Sequence, residues 1–289
     1  MNAEDLKILI AETFPDIEIR KFSSLGMGRS TYVYLVNDEI VMRVPKNDPG
    51  HQWPDSPEKE VGVLNFLRGK LDIKIPEIVC HAQAKDGRHI VGETLVLGTL
   101  FTQAMFDSFA DETKWDILRQ IGRIMRELHD VPGRVPGVGC GTYQDTIRVF
   151  NEYFSPEIRA LFSDAEIAEI QNISDNYEKL SIQHPAAPVL THCDLHFGNM
   201  MFDVEQKRVC GLIDFGSSGY AEPARDMHYY FGDGAKEILS GYGDNGDKYL
   251  PERQKFQSIT NMLSNIGEDI RENKPTGENK DLLIKTLRE

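Results

Sequence analysis

The sequence predicts an α+β fold with two lobes, in which a small antiparallel sheet with a helix precedes a larger, mainly helical lobe. Short strand-like segments concentrate in the first third of the chain, and long segments with helically spaced apolar residues follow. Two later strands run directly into polar clusters. At 289 residues, with 40% hydrophobic and 27% charged residues, the chain is long for one compact unit, which favours two lobes separated by a cleft.

The N-terminal lobe is predicted to begin with a helix capped by Asn2 and ended by Pro15. Strand-like segments 17–22, 31–36 and 39–44 then form a meander, and Asn37 and Asp38 tolerate the left-handed backbone of its second turn. A helix starting at Pro57 presents one apolar stripe to the sheet. Strands at 77–82 and 89–97 complete the lobe.

The rest of the chain is predicted to be mainly helical. Apolar residues recur at helical spacing in segments 117–128, 167–180 and 256–270, and short strands at 188–191 and 208–213 lie between the second and third of these helices. We therefore divide the chain into an N-terminal lobe of residues 1–94 and a C-terminal lobe of residues 95–289. The cleft between them is the expected site of chemistry.

The composition excludes several classes of protein. A net charge of −14 argues against nucleic-acid binding, which usually needs a basic face, and suits a cationic ligand or simply a well-solvated surface. The N-terminus lacks the features of a signal peptide, and no segment approaches the ~20 apolar residues that cross a bilayer. Four dispersed cysteines suggest neither zinc nor disulfides. We expect a monomer in the cytoplasm that binds neither membranes nor nucleic acid.

The strongest signal is the segment 191–202, THCDLHFGNMMF, followed by Asp214-Phe215-Gly216 fifteen residues after Asn199. Phosphoryl transfer needs an oriented hydroxyl, bound metal ions and compensation of the phosphate charge. Asp194 can orient the acceptor and accept its proton, while Asn199 and Asp214 offer oxygen atoms to Mg²⁺. Hydrogen bonds within turns would explain either cluster of polar residues alone. They would not explain both clusters in this order, each after an apolar strand.

These segments resemble the H-x-D-L-H-x-G-N and G-x-I-D-F-G motifs of the aminoglycoside phosphotransferase family, small-molecule kinases with a protein-kinase-like fold. The resemblance extends over roughly residues 22–270 and is nearest to the branch that modifies the 2″ position of gentamicin and kanamycin. It implies that Asp194 is the catalytic residue and that Asn199 and Asp214 hold two Mg²⁺ ions. It also implies that His192 is structural and holds the catalytic loop, the segment around Asp194, against the metal-binding strand, and that residues 1–94 bind the nucleotide.

The same resemblance assigns nucleotide-binding residues in the first lobe. Gly26 and Gly28 correspond to the phosphate loop, where glycine lets backbone amides approach phosphate. Arg43 stands where the family has a lysine, Lys46 is the alternative phosphate contact, and Glu60 is the expected partner acid. The remaining nucleotide contacts are the hinge residues Glu93 and Leu95, whose backbone would receive the base, and His196. The choice between ATP and GTP stays open.

The acceptor is predicted to be a small molecule, because the chain after Gly216 leaves no room for the activation segment that protein kinases use to hold a peptide. Acidic residues that could bind a cationic acceptor are Asp226, Asp233 and Glu268. For Asp226, anchoring of the catalytic loop is the competing interpretation. Against an aminoglycoside, Thr260 stands where the gentamicin-modifying branch tends to carry an acid. A kinase of another hydroxylated compound (macrolide, choline, homoserine or fructosamine-like) and a catalytically silent nucleotide-binding module are the alternatives.

Overall fold

The fold of the protein is seen in a computed structural model that describes residues 2–27, 31–46 and 57–288. Its N-terminal part is built from two helices and the strands of one sheet, which in chain order are α1 (Ala3–Thr13), β1 (Phe22–Met27), β2 (Thr31–Val36), β3 (Ile40–Pro45), α2 (Pro57–Leu67), β4 (Ile78–Gln83) and β5 (His89–Thr94). These strands pair antiparallel in the order β1-β2-β3-β5-β4. The predicted small antiparallel sheet is therefore confirmed.

Local capping and turn chemistry explain where the first elements begin and turn. The side chain of Asn2 accepts a hydrogen bond from the Asp5 amide at 2.9 Å and thus caps α1, as predicted. Asn37 and Asp38 both have positive φ, at 56° and 61°, in the tight turn between β2 and β3. The apolar face of α1 packs on the sheet through Leu6 and Ile10, both fully buried.

The prediction of a strand at 17–22 is wrong, because β1 begins only at Phe22. The side-chain oxygen of Asn37 accepts hydrogen bonds from the amides of Arg20 and Lys21 at 2.9 and 3.1 Å. Its side-chain nitrogen donates to the Glu18 carbonyl at 2.8 Å. The Asn37 side chain thus satisfies by hydrogen bonds the backbone groups that strand pairing would need, and the segment remains a loop.

The C-terminal part is mainly helical, as predicted. In chain order its elements are β6 (Thr99–Leu100), α3 (Gln103–Asp107), α4 (Asp111–His129), α5 (Tyr143–Tyr153), α6 (Pro156–Arg159), α7 (Asp164–Gln183), β7 (Val189–Thr191), β8 (Met200–Asp203), β9 (Arg208–Leu212), β10 (Gly219–Ala221), α8 (Gly232–Tyr242), α9 (Leu250–Arg271) and α10 (Gly277–Arg288). β6, β8 and β9 form one sheet, and β7 pairs with β10. Since β5 ends at Thr94, the division of the chain at residue 94 follows the end of the first sheet, and as a domain boundary it stays a prediction.

The helical part has two apolar cores. One lies around α4 and α8, which pack so closely that a Cβ on Gly122 would lie 2.2 Å from the Ile238 carbonyl oxygen. The second is formed by α5, α7, α9 and α10, with Phe150, Phe256 and Leu263 fully buried. Among the helices of the described residues, none is both long enough and apolar enough to cross a membrane.

Candidate active site

The loop that follows β7 holds Asp194 and Asn199 together. Cys193 has a left-handed backbone, with φ of 66°, which turns the chain out of the strand. The side-chain nitrogen of Asn199 donates to the Asp194 carboxylate at 3.0 Å and to its carbonyl at 2.9 Å. With the amide nitrogen engaged in this way, the Asn199 side-chain oxygen is the atom left for a metal ion.

Tyr229 contacts Asp194 directly, and sequence reasoning missed it. Its hydroxyl donates a hydrogen bond to Oδ1 of Asp194. Burial by itself would raise the pKa of Asp194, but the hydrogen bond from Tyr229 and the nearby imidazoles of His196 and His192 outweigh it and lower that pKa. Asp194 is therefore a carboxylate at neutral pH. The signal in the sequence was the pair of tyrosines at 229 and 230, three residues after Asp226.

Asp226 anchors the catalytic loop and does not face a substrate. It is fully buried, and its carboxylate accepts hydrogen bonds from the amides of His192 and Cys193 at 2.9 and 2.7 Å. The third contact is with Nε2 of His129, at 3.0 Å. Burial opposes its charge, yet these contacts lower the pKa of Asp226. The prediction that Asp226 binds the acceptor is wrong, because no acceptor can reach a carboxylate enclosed in this way.

His192 connects the catalytic loop to the segment that carries Asp214. Its Nε2 lies 3.0 Å from the carbonyl oxygen of Ile213, and its ring packs on Phe215 with centroids 4.6 Å apart. This geometry matches the structural role expected for His192. His196 is more exposed, with Nε2 3.7 Å from Oδ2 of Asp194 and Nδ1 accepting from the Gly198 amide at 3.0 Å. The role of His196 at a nucleotide stays a prediction.

Arg43 joins the sheet to the C-terminal part of the chain. One arm of its guanidinium contacts the Glu60 carboxylate, and Nη2 donates to Oδ1 of Asp214 at 2.7 Å. Burial opposes the charge of Arg43, but the carboxylates of Glu60 and Asp214 raise its pKa. Arg43 and Glu60 thus form the ion pair that the sequence predicted, whereas Lys46 lies at the end of β3 with its Nζ 5.8 Å from the Tyr32 ring.

Glu93 is a buried member of this charge cluster. Its carboxylate lies 3.8 Å from Nη1 of Arg43, and burial, reinforced by the charge of Glu60, raises the pKa of Glu93 to about 8. Glu93 is therefore mainly neutral at pH 7. The backbone of Glu93 is paired within the sheet, and the Leu95 amide donates to the Glu39 carbonyl at 2.9 Å. The Leu95 amide is therefore engaged within the protein, and the role of Glu93 and Leu95 in binding the nucleotide base stays a prediction.

The glycine-rich loop is only partly described. Gly26 has φ of 141° and lies at a bulge in β1, a conformation that residues with a side chain rarely adopt. Its amide donates a hydrogen bond to the Ser24 hydroxyl oxygen at 3.3 Å. Gly28 lies outside the described residues. The phosphate-binding roles of both glycines stay predictions.

The oxygen atoms of Asn199 and Asp214 suit a hard divalent cation such as Mg²⁺. The Asp214 side chain is 46% exposed, and its backbone is left-handed, with φ of 65°, two residues after the end of β9. The Ile213 amide donates to the carbonyl of Asn199 at 3.0 Å, which holds the two segments side by side. This donor set is consistent with the predicted metal site.

Two cavities are each lined in part by residues of the catalytic loop. The first, of about 460 Å³, is lined near the loop by Cys193 and Arg225, and includes Glu222, Arg253 and Thr260. The second, of about 610 Å³, is aromatic, with lining residues Phe101, Phe106, Trp115, His196, Phe197, Tyr229, Tyr230 and Phe231 among others. Each cavity is lined by a residue close to Asp194 in sequence, Cys193 in the first and His196 in the second. Both are therefore candidate acceptor sites.

Two of the acids predicted to bind the acceptor line neither cavity. Asp233 is an exposed residue in the first turn of α8, and its carboxylate pairs with Lys236 at 2.7 Å. Glu268 lies in the last turn of α9. The first cavity contains two acids, Asp145 and Glu222, balanced by two arginines. Asp233 and Glu268 thus lie outside both of these cavities, and their role at the acceptor stays a prediction.

Solved structures of phosphotransferases share this fold. The structure superposes with a TM-score of 0.80 on that of APH(2″)-IIIa in complex with GDP and kanamycin, at 23% identity and over 98% of each chain. It superposes with a TM-score of 0.67 on a ternary complex of APH(2″)-IIa with streptomycin and ATP, at 19% identity, over 99% of this chain and 97% of the other. The macrolide 2′-phosphotransferase MphH from Brachybacterium faecium gives 0.65 at 14% identity over 97% of each chain.

These likenesses establish a shared fold, the small antiparallel sheet and helical lobe that the sequence predicted. The family is established independently by a model of the phosphotransferase enzyme family APH, which matches residues 21–249. The matched residues include β1, the Arg43–Glu60 pair, the catalytic loop and Asp226. The chain therefore belongs to the APH family of phosphotransferases, small-molecule kinases that act on hydroxyl groups.

Proposed function

We propose that this protein transfers the γ-phosphate of a nucleoside triphosphate to a hydroxyl group of a small molecule. The observation that carries this proposal is the convergence of Asp194, Asn199 and Asp214 beside the buried Arg43–Glu60 pair. Phosphoryl transfer requires mainly positioning and compensation of charge, and these five side chains offer both.

Asp194 orients the acceptor hydroxyl and accepts its proton. It is a carboxylate at neutral pH, because its hydrogen bonds with Tyr229 and Asn199 favour the charged form. Those two bonds also fix the carboxylate against rotation, which reduces the entropy lost when the acceptor is aligned. Tyr229 therefore positions the base.

Asn199 and Asp214 hold Mg²⁺ through oxygen atoms, and Arg43 contributes a fixed positive charge for the phosphates. When bound, Mg²⁺ would neutralise charge on the β- and γ-phosphate oxygens. Glu60 holds Arg43 at the inner end of the cleft, so the guanidinium needs little rearrangement before a phosphate arrives. ATP and GTP both remain candidates, since structural relatives are seen with ATP and with GDP.

For the acceptor we propose an aminoglycoside. The support is the similarity of fold over nearly the full length to a relative solved with kanamycin, together with a net charge of −14 that attracts polycations. The more exposed carboxylate of Asp145 in the first cavity is the candidate partner for its amines. An uncharged hydroxylated compound such as a macrolide is the second candidate, because the second cavity is lined by aromatic rings.

Phosphate transfer to kanamycin, a macrolide and choline, each with ATP and with GTP, tests both levels of the proposal. Asp194→Asn should lower turnover by roughly 10² to 10⁴, the usual contribution of a general base, while nucleotide binding persists. Asp16→Asn, the same change at an exposed position before β1, is the matched control and should leave turnover unchanged. Near-normal turnover of Asp194→Asn would remove Asp194 from this role.

Salt dependence separates the two acceptor classes. For a cationic acceptor the KM should rise between low salt and 0.15 M, where the Debye length is ~8 Å, while the nucleotide KM changes less. Transfer only to neutral acceptors, with a flat salt dependence, would contradict the aminoglycoside assignment and leave the small-molecule kinase. The absence of both transfer and nucleotide hydrolysis would support the catalytically silent alternative. A cytoplasmic monomer stays a prediction from sequence.

A further inference from the structure

A second group of potential metal ligands lies on the N-terminal sheet, away from Asp194. It consists of Glu58 at the start of α2, His81 on β4 and His89 on β5. Nδ1 of His89 lies 3.3 Å from Nε2 of His81 and 2.6 Å from Oε1 of Glu58. The three ligand atoms all lie within 4.8 Å of one another. Among the described residues this is the one group of its kind.

The convergence follows from strand register. β4 and β5 pair antiparallel with His81 opposite Val91 and Gln83 opposite His89, so the two histidines are diagonal neighbours on one face of the sheet. The first turn of α2 brings the Glu58 carboxylate to the same face. The histidine side chains are half-buried and that of Glu58 is 47% exposed, so an ion could enter from solvent.

Hydrogen bonding alone does not account well for this geometry. Nδ1 of His89 faces both the carboxylate and the other imidazole, and a neutral ring can carry only one proton on that atom. If Nδ1 donates its proton to Glu58, no hydrogen bond connects it to Nε2 of His81. If Nδ1 is unprotonated, its lone pair faces an anionic oxygen. A cation shared by the three atoms would turn these competing lone pairs into ligands.

The distances suit zinc. Bonds of ≈ 2.0–2.1 Å to nitrogen in a tetrahedral site separate neighbouring ligand atoms by about 3.3 Å, which is the spacing of the two imidazole nitrogens. Two imidazoles and one carboxylate favour Zn²⁺ or a similar transition metal over Mg²⁺, which prefers oxygen ligands. The Glu58 carboxylate would have to move outward by a fraction of an ångström.

We propose that Glu58, His81 and His89 form a binding site for a transition-metal ion of the Zn²⁺ type, with the fourth position open to water. The site does not depend on the proposed phosphotransferase activity. A bound ion would tie the first turn of α2 to β4 and β5. Because α2 also carries Glu60, the ion would stabilise the helix that holds the partner of Arg43.

Binding can be tested on the full chain after treatment with a chelator. Equilibrium dialysis should give one Zn²⁺ per chain at this site, and saturating Zn²⁺ should raise the melting temperature of the wild-type protein by a few degrees but not that of a variant without the site. His81→Ala and Glu58→Gln should each weaken Zn²⁺ binding at least 10-fold, the loss that removal of a mere outer-shell partner can cause. His184→Ala, at an exposed histidine before β7, is the matched control and should bind normally.

The use of two variants on different elements guards against a folding defect, since Glu58→Gln changes only an exposed carboxyl. Wild-type affinity in both variants would overturn the proposal. Zn²⁺ binding that survives them and disappears in Asp214→Ala would locate the ion in the cleft and would also overturn it. Binding of Mg²⁺ with equal affinity at Glu58 would contradict the proposed metal class.

Discussion

The buried carboxylate of Asp226 provides the sharpest test of how the catalytic loop is held. It is fully buried and accepts hydrogen bonds from two consecutive backbone amides and from His129. Asp226→Ala removes the carboxylate that accepts all three hydrogen bonds and leaves their donors enclosed. A hydrogen bond to a charged group contributes roughly 1.5–3 kcal/mol, but the substitution also removes the cost of burying a carboxylate.

We therefore expect a loss of about 3–5 kcal/mol in the free energy of unfolding, the range seen when one partner of a buried charged pair is removed. At about 2–4 °C per kcal/mol this corresponds to a fall of roughly 6–20 °C in melting temperature. Turnover should fall too, because the amides of His192 and Cys193 set the position of Asp194. Urea denaturation and the transfer assay measure the two effects.

Asp233→Ala is the matched control for this experiment. It removes an exposed carboxylate that pairs with Lys236 on the same helix, and because solvent screens this pair the stability should change little. Equal stability losses for Asp226→Ala and Asp233→Ala would refute the anchoring argument. So would a change confined to the acceptor KM, since that outcome would return Asp226 to the acceptor site.

Three further substitutions test other contacts. Tyr229→Phe removes a hydrogen bond that lowers the pKa of Asp194, so the pKa of Asp194 should rise. The acidic limb of the pH–kcat profile should then move to higher pH, and an unmoved limb would contradict the contact. Arg43→Met should cost about 3–5 kcal/mol in urea denaturation because it leaves Glu60 buried without a partner, and Arg43→Lys should cost less because it keeps the charge. Gly122→Ala should destabilise the fold by about 1–3 kcal/mol. Gly234→Ala, whose added Cβ would lie 3.7 Å from its nearest neighbour, should be neutral or stabilising. Similar effects of the two substitutions would show that α4 and α8 can separate.

The sequence by itself determined the family, the fold class and the long helices. Motif spacing predicted the roles of Asp194, Asn199 and Asp214, because phosphoryl transfer restricts the residue types that can serve at each position. Apolar periodicity located the long helices, since burial of one face determines where hydrophobic residues recur. Asn2 and the turn at Asn37 were predictable because they depend on neighbours only a few residues away.

Contacts between distant segments were decided by the tertiary structure alone. The hydrogen bond from Tyr229 to Asp194, the burial of Glu93 beside Arg43 and the enclosure of Asp226 each join residues that no local pattern connects. The prediction that Asp226 binds the acceptor failed for the same reason, because charge in sequence does not determine which surface a side chain faces. Register in the sheet likewise brought His81 and His89 together, which sequence spacing alone does not reveal.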